Sequence, residues 1–155
     1  MITCEFEDGG KARLRHTVVH CLCIKEGKIL LVKRAPSILE GGKWGFPGGF
    51  LDQGEKISEC AVRELMEETG YTGEVDKLFR INSGERRNDN GRNNVVFEMI
   101  VNTGNKTGEP DWEQTEVGWH KLEDLNPEEM AFDHGDTIML LIDYRKKQFD
   151  LPIIV

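Results

Sequence analysis

The sequence predicts one domain that mixes strands and helices, and three observations support this prediction. The chain has 155 residues, of which 38% are apolar, and this is enough for one domain with a real core. Short runs rich in β-branched residues alternate with two longer segments that have helical patterns. No repeat and no low-complexity linker divides the chain. Residues 1–155 are therefore expected to form a single domain.

The first elements form a predicted β-hairpin. Residues 17–24, TVVHCLCI, are rich in β-branched and apolar residues, and a second apolar run, KILLVKR, follows after Glu26-Gly27. Residues 35–49 then contain two prolines and five glycines, which break regular structure, so a loop is expected there. Trp44 and Phe46 lie inside this loop. Core packing is favoured over base stacking for both.

The next segment is the best-defined helix of the sequence. Residues 56–69 are good helix formers, and Gly70 is well placed as the C-terminal cap. Strands are expected at 72–81 and 94–102, paired antiparallel around a turn at Asp89-Asn90-Gly91. A short strand at 117–122 and a helical pattern over 134–147 complete the order.

Composition excludes several classes of function. The net charge of −8 disfavours a nucleic acid polymer as partner, because binding to a polyanion backbone needs a basic surface. No apolar run approaches the ~18 residues of a membrane span, and no signal peptide is recognisable, so a cytoplasmic protein without membrane contact is expected. The four cysteines lack paired CxxC spacing, and the four histidines lack metal-ligand spacing. Buried thiols are expected, without a zinc site.

One stretch of the predicted helix concentrates negative charge. At 100° per residue, Glu64, Glu67 and Glu68 fall within an arc of roughly 100°, where they repel one another by a few tenths of a kcal/mol per pair. A solvated acidic face is the ordinary explanation of such a run. Here, however, Pro47-Gly48-Gly49 and Glu55 precede the helix. Clustered carboxylates of this kind suit Mg²⁺, which prefers oxygen ligands.

The same residues complete a known motif. Gly49, five residues, Glu55, seven residues and then RELMEETGY match every fixed position of the Nudix box, GX5EX7REUXEEXGU, over residues 49–71. The chain therefore resembles the Nudix hydrolase family. The resemblance implies an α+β Nudix fold, an α/β/α sandwich around a mixed β-sheet. It also implies hydrolysis of a nucleoside diphosphate linked to another group.

The resemblance assigns expected roles to individual residues. Glu67 and Glu68 are the implied main metal ligands, and Glu64 is a ligand or the general base. A backbone carbonyl of Gly48 or Gly49 is a further candidate ligand. The implied cofactor is Mg²⁺, with Mn²⁺ as a substitute.

Further candidates lie around the metal ligands. In the family, Arg63 and Glu55 pair and hold the loop against the helix. The base lies on the box helix or in a later loop, where Glu113 and Glu116 are candidates. Some arginines are candidates for binding substrate phosphates, although solvated surface charge is the commoner role of each; they are Arg34, Arg80, Arg86, Arg87 and Arg92.

The substrate is less determined than the fold. LVKRAP followed by KWGFPGGFLDQGE resembles the ADP-ribose and NADH type of Nudix enzyme, whereas the SQPWPFPxS signature of the NADH class is absent. A small-molecule nucleotide is expected, with a lean to ADP-ribose-like compounds. Cleavage of oxidised nucleoside triphosphates stays open. A sensor that binds nucleotide sugars without cleaving them is disfavoured, because such domains commonly lose box carboxylates. A homodimer is compatible with the family.

Overall fold

The structure is a computed structural model that describes residues 2–84 and 94–155. In these ranges the chain forms ten strands and two α-helices. The strands are β1 (Ile2–Glu5), β2 (Lys11–Leu14), β3 (His16–Lys25), β4 (Lys28–Arg34), β5 (Trp44–Gly45), β6 (Gly48–Phe50), β7 (Tyr71–Asn82), β8 (Asn94–Lys106), β9 (Gln114–Lys121) and β10 (Ile153–Ile154). The helices are α1 (Ile57–Thr69) and α2 (His134–Lys146), and short 3-10 turns lie at Leu122–Asp124 and Pro127–Glu129.

The main sheet is mixed and is organised around β3. Strand β3 pairs parallel with β8 and antiparallel with β6, and β8 pairs antiparallel with β7. At its other end β3 forms a hairpin with β4, which in turn pairs antiparallel with β5 and β9. The predicted hairpin and the predicted antiparallel pairing of 72–81 with 94–102 are both confirmed.

Two helices cover opposite faces of this sheet. Cys60, Ala61 and Leu65 of α1 pack with Val19 and other residues of β3 and β8 in one apolar cluster. Ile138 and Leu141 of α2 pack with Leu22, Phe46 and Phe79 in a second cluster. The α/β/α sandwich around a mixed sheet is thereby confirmed. Neither of the helices in the described ranges is long and apolar enough to cross a membrane.

The helix predicted at 56–69 is confirmed with its cap. Lys56 and Glu59 close the N-terminus through a bond from the Lys56 backbone N–H to the Glu59 carboxylate at 3.0 Å. Gly70 ends the helix in the left-handed conformation at φ 74°, a conformation that glycine adopts without steric cost. Gly70 thus ends α1 directly after the turn that carries Glu67 and Glu68, and the chain continues into β7.

The glycine segment 35–49 differs from the prediction. It is not all loop, because Trp44–Gly45 pairs with β4 and Gly48–Phe50 pairs with β3. Strands β1, β2 and β10 were also not predicted. Core packing of Phe46 and Trp44 is confirmed, since Phe46 is buried and Trp44 packs against the same cluster. The turn predicted at Asp89-Asn90-Gly91 lies outside the described residues, as do the candidates Arg86, Arg87 and Arg92.

The cysteines are free thiols, as predicted. Cys21, Cys23 and Cys60 are buried, and Cys4 is half-buried. Burial raises the pKa of the Cys23 thiol to about 11 and that of Cys60 to about 12. These thiols are therefore protonated and unreactive at neutral pH.

Candidate functional site

A cleft of about 690 Å³ lies where α1, the glycine segment and β3 meet. Its walls come from the acidic face of α1, the segment around β6, strand β3, and the loops before β9 and before α2. The end of β4, the loop that follows it and the first residue of β8 complete the lining. Glu64, Glu67, Glu68, Gly48 and Gly49 all line it. The five predicted metal-ligand positions are thus brought to one cavity.

The acidic face of α1 is not a solvated surface. Glu64 is 9% exposed and Glu68 is 6% exposed, whereas Glu67 projects into solvent with half of its side chain accessible. Burial raises the pKa of the Glu64 carboxyl, and it raises the pKa of the Glu68 carboxyl to about 8. Two carboxylates are therefore kept in a place that disfavours their charge.

Glu68 is the link between the helix and the glycine segment. The Gly48 backbone N–H donates to Glu68 Oε2 at 2.8 Å, and the Gln114 side-chain amide donates to Glu68 Oε1 at 2.6 Å. Both carboxylate oxygens are thus held by protein donors. Gln114 was not predicted, because nothing in its local sequence indicates a contact with a residue 46 positions away.

Arg63 holds three carboxylates and the backbone of β6 together. Its guanidinium donates hydrogen bonds to both carboxylate oxygens of Glu55, at 2.8 and 3.0 Å. It also donates to the carboxylates of Glu64, at 2.7 Å, and Glu67, at 3.1 Å. A further bond of 3.0 Å reaches the Phe50 carbonyl. The hydrogen bonds from Arg63 lower the pKa of Glu55 to about 2, so that Glu55 stays ionised. The predicted pairing of Arg63 with Glu55 is confirmed.

Gly49 allows the helix to approach the strand closely. A Cβ atom added at Gly49 would collide with the Glu64 carboxylate. Its φ lies outside the left-handed region, so close approach, rather than backbone conformation, explains the glycine here. The fixed glycine of the motif therefore makes room for a buried acid.

The loop before β9 brings further acids to the cleft. Asp111 and Glu113 line the cavity, and the Asp111 N–H donates to the Glu67 carbonyl at 2.9 Å. Glu116, in contrast, lies on β9, where it forms an ion pair of 2.8 Å with Lys33 and is not among the lining residues. Asp111 was not predicted, although it shares the acidic stretch EPDWEQ with Glu113.

The other end of the cleft is aromatic. Phe46 stacks on His134 with ring centroids 4.7 Å apart, and His20 meets the edge of His134 at 4.5 Å. The Phe46 N–H donates to His134 Nδ1 at 3.1 Å, which fixes the tautomer of that imidazole with its proton on Nε2. Phe132 lines the same end. These histidines act in packing and shape the cleft.

Two predicted arginines have different surroundings. Arg34 lines the cleft, with its guanidinium 4.9 Å from the Phe132 ring centroid and its Nε donating to the Leu39 carbonyl at 2.8 Å. Partial burial lowers the pKa of Arg34, but the group remains charged. Arg80 is buried, bonded to Thr137 at 2.9 Å and lies 3.7 Å from Glu98. Arg80 is therefore neither a solvated charge nor a lining residue of the cleft.

The donor set fits a hard divalent cation in its chemistry. The candidate ligands are all oxygens, and two of them belong to buried acids whose charge lacks full compensation. In the described part of the chain, no three His, Cys, Asp or Glu side chains stand in a metal-ligand arrangement. Glu64 and Glu67 are turned to Arg63, and Glu68 to Gly48 and Gln114. Metal ligation by these residues stays a prediction.

Comparison with known proteins gives a family match over most of the chain. The family model described as NUDIX domain matches residues 13–141. An ADP-ribose pyrophosphatase from Methanocaldococcus jannaschii is 36% identical over 116 residues, which cover 74% of this chain and 65% of that protein. A Caenorhabditis elegans relative is 31% identical over 114 residues, and the match spans 74% of this chain but only 30% of the relative.

A solved structure supports the fold independently. A NUDIX hydrolase from Nitrosomonas europaea superposes with a TM-score of 0.80 at 20% identity, covering 99% of this chain and 91% of that one. At this identity the likeness concerns the fold alone.

Proposed function

The chain belongs to the Nudix family, and we propose that it hydrolyses the diphosphate bond of a nucleoside diphosphate linked to another group. ADP-ribose-like molecules are the favoured substrate class, which the name of the archaeal relative supports. The match covers 65% of the length of that relative. The activity in the name of the relative is therefore a proposal for this chain.

The observation that carries the proposal is the burial of Glu64 and Glu68 against the glycine segment. Placing acids where their pKa values rise costs stability, because the ionised forms lose hydration. A purely structural face would keep them in solvent. A cationic ligand that compensates the charge gives a reason for their position.

The residues that would hold a divalent cation are Glu64, Glu67 and Glu68, with a carbonyl of Gly48 or Gly49. When bound, such a cation supplies charge neutralisation to the diphosphate and acidifies a water molecule. Mg²⁺ is proposed as the cation, with Mn²⁺ as a substitute, because both suit oxygen ligands.

Two further roles are proposed for other residues of the cleft. One pair of residues positions the acidic groups, and another residue accepts a proton from the attacking water. Arg63 and Glu55 act as positioning residues, since one guanidinium fixes Glu55, Glu64 and the Phe50 carbonyl. Glu113 is favoured over Glu116 as a loop base, because it lines the cleft whereas Glu116 is paired with Lys33. Glu64 is the alternative base on the helix.

Arg34 is proposed to bind a substrate phosphate. Among the described residues that line the cleft, Arg34 and Arg63 are the arginines. The guanidinium nitrogens of Arg63 already donate to three carboxylates and to the Phe50 carbonyl. The side chain of Arg34 has one described hydrogen bond, from Nε to the Leu39 carbonyl. Its terminal nitrogens can therefore donate to phosphate oxygens.

Other expectations accompany the proposal. A cytoplasmic location, a homodimer and a single domain over residues 1–155 stay predictions. Hydrolysis of nucleoside triphosphates is the main alternative activity. Binding without cleavage is disfavoured because every carboxylate of the motif is present.

A substrate panel tests the proposal. The purified protein is incubated with ADP-ribose, NADH, a dinucleoside polyphosphate and oxidised nucleoside triphosphates, with Mg²⁺ or with excess chelator. The products are separated chromatographically. We expect Mg²⁺-dependent release of AMP from ADP-ribose. Preferential cleavage of triphosphates would replace the proposed substrate class, and binding without any cleavage would indicate a sensor.

A further inference from the structure

Two aromatic side chains bracket the point where the acids reach the strand. Phe46 and Phe50 lie on either side of the Gly48-Gly49 pair, which contacts Glu68 through a hydrogen bond and Glu64 through close approach. Both aromatic residues line the cleft. The carboxylates therefore lie between two ring surfaces along the same segment.

The two ring surfaces differ in their exposure. Phe46 is 3% exposed and packs against His134 at the inner end of the cleft. Phe50 is 59% exposed, and its ring lies 5.1 Å from that of His16. The exposed ring of Phe50, with the half-buried ring of His16 beside it, offers a stacking surface for a flat or cyclic ligand group.

Strand β3 sets the distance between the end of the cleft at His16 and the end at His20. His16, Val18 and His20 alternate along it and all line the cleft, and Phe50 pairs with Val18 while Gly48 pairs with His20. Four residues of strand span about 13 Å, so His16 and His20 lie that far apart. This distance suits a ligand with a ring-containing group on each side of a diphosphate.

An amide accompanies the outer rings. Asn94 pairs with His16 across β3 and β8 and lines the cleft. Its Oδ1 is buried and has no hydrogen-bond partner among the described residues. Such an acceptor is costly unless a donor meets it, and a small rotation of the amide would offer it to a ligand hydroxyl or amino group.

We propose that His16, Phe50 and Asn94 form a subsite for the second ring-containing group of a diphosphate diester, such as the terminal sugar or second nucleoside. The first nucleoside then occupies the inner end beside Phe46 and His134. This inference rests on the proposed function and assigns the part of the cleft that binds the group linked to the nucleoside diphosphate.

The charges around the outer subsite disfavour a terminal phosphate there. Asp52 lines the cleft two residues after Phe50, and the nearby guanidinium of Arg63 is bonded to Glu55, Glu64 and the Phe50 carbonyl. A triphosphate tail would meet rings and a carboxylate instead of an uncommitted cation. An uncharged ring avoids this repulsion.

Replacing Phe50 tests the subsite. We compare kcat/KM for ADP-ribose with that for ATP in the wild type and in Phe50→Ala, with Mg²⁺. The ratio of the two values should fall roughly tenfold in Phe50→Ala, mainly through a higher KM for ADP-ribose, because one stacking contact is lost. Asn94→Ala should lower the ratio in the same direction.

Two controls keep the result interpretable. Phe50→Trp should restore the ratio, and Phe6→Ala, which removes a 52% exposed aromatic outside the cleft lining, should leave it unchanged. An equal loss for ADP-ribose and ATP in Phe50→Ala, or no loss for either, would overturn the subsite while leaving the proposed function intact.

A binding measurement distinguishes failure of the subsite from failure of the proposed hydrolytic function. The probe is an ADP-ribose analogue with a methylene bridge between the phosphates, compared with the corresponding ADP analogue, and calorimetry gives both Kd values. Phe50→Ala should weaken the first analogue roughly tenfold more than the second. Lack of turnover on any substrate would refute the proposed function, whereas equal weakening of both analogues would refute the subsite.

Discussion

The backbone N–H of Gly48 donates a hydrogen bond of 2.8 Å to Glu68 Oε2, which joins the glycine segment directly to the acidic helix. The neighbouring Gly49 leaves no room for a Cβ atom beside Glu64. Two consecutive glycines therefore have two functions. One supplies a donor to a buried acid, and the other supplies space.

The space at Gly49 leads to a first prediction. Gly49→Ala should displace the Glu64 carboxylate and lower kcat by roughly 100-fold or more, because small misplacements of catalytic groups are costly. The matched control is Gly54→Ala in the loop before α1, where an added Cβ meets nothing within 4 Å, although its φ of 82° adds some strain. Steady-state kinetics measures kcat in both variants, and circular dichroism checks that both are folded. Wild-type kcat in Gly49→Ala would contradict the proposed role of Glu64.

The exposed acid of the helix gives a second prediction. Glu67→Gln removes one negative charge from a crowded face, so the melting temperature without metal should stay equal or rise slightly. Its kcat with saturating Mg²⁺ should fall by roughly 100-fold or more, since a metal ligand would be lost. Glu74→Gln, an exposed glutamate on β7 away from the cleft, is the control and should retain full activity. Full turnover in Glu67→Gln would assign this acid to the surface only.

The buried acid gives a pH prediction. The pKa of Glu68 rises from 4.5 to about 8 on folding, so the folded protein binds this proton more tightly than the unfolded chain. Stability from this group is full below about pH 4.5 and is lost as the pH rises to about 8. The metal-free melting temperature should therefore fall by roughly 5 °C or more between pH 5.5 and 8.5.

Glu68→Gln is the matched variant for this measurement. It should flatten the pH dependence, since the neutral amide fills the same place, and Gln114 can turn its amide to accept from it. Glu55, whose pKa is lowered to about 2, contributes in the opposite direction but below this pH window. An unchanged slope in Glu68→Gln would show that another group causes the loss.

The packing of the glycine segment gives a fourth prediction. Trp44 packs on the core cluster around Phe46 and meets His120 at 4.3 Å, so Trp44→Ala should destabilise the fold by about 2–3 kcal/mol. Trp112→Ala is the control, because Trp112 is 73% exposed and its loss should leave the melting temperature near wild type. Denaturant unfolding measures both. A Trp44→Ala protein of normal stability but with a large rise in KM would make Trp44 a substrate contact.

Much of the fold was predictable from local signals. The helix at 57–69 follows from its helix formers and from Gly70, and the β3–β4 hairpin follows from two apolar runs around Glu26-Gly27. The short strands β5 and β6 could not be predicted, since prolines and glycines predict loop and the pairing partners lie elsewhere in the sequence. The parallel pairing of β3 with β8 is nonlocal for the same reason.

The site was predictable where spacing defines it. Helical geometry predicted that Glu64, Glu67 and Glu68 share a face, and the motif predicted the pairing of Arg63 with Glu55. Burial of Glu68 beneath Gly48 and Gln114 depends on contacts between distant segments, as does the approach of Asp111. Choosing between Glu113 and Glu116 also required the structure, because Glu113 lies in the loop that lines the cleft, whereas Glu116 lies on β9 and pairs with Lys33.

The most direct test of the central claim is the rate of AMP release from ADP-ribose at fixed protein concentration, measured with Mg²⁺ and again with excess chelator. Water adds across the diphosphate, so AMP and ribose 5-phosphate should form in equal amounts. We predict steady turnover with Mg²⁺, faster at pH 9 than at pH 7 because the attacking water must lose a proton, and no turnover with chelator. Undiminished AMP release in excess chelator, or no release from ADP-ribose with Mg²⁺ or Mn²⁺ present, would contradict it.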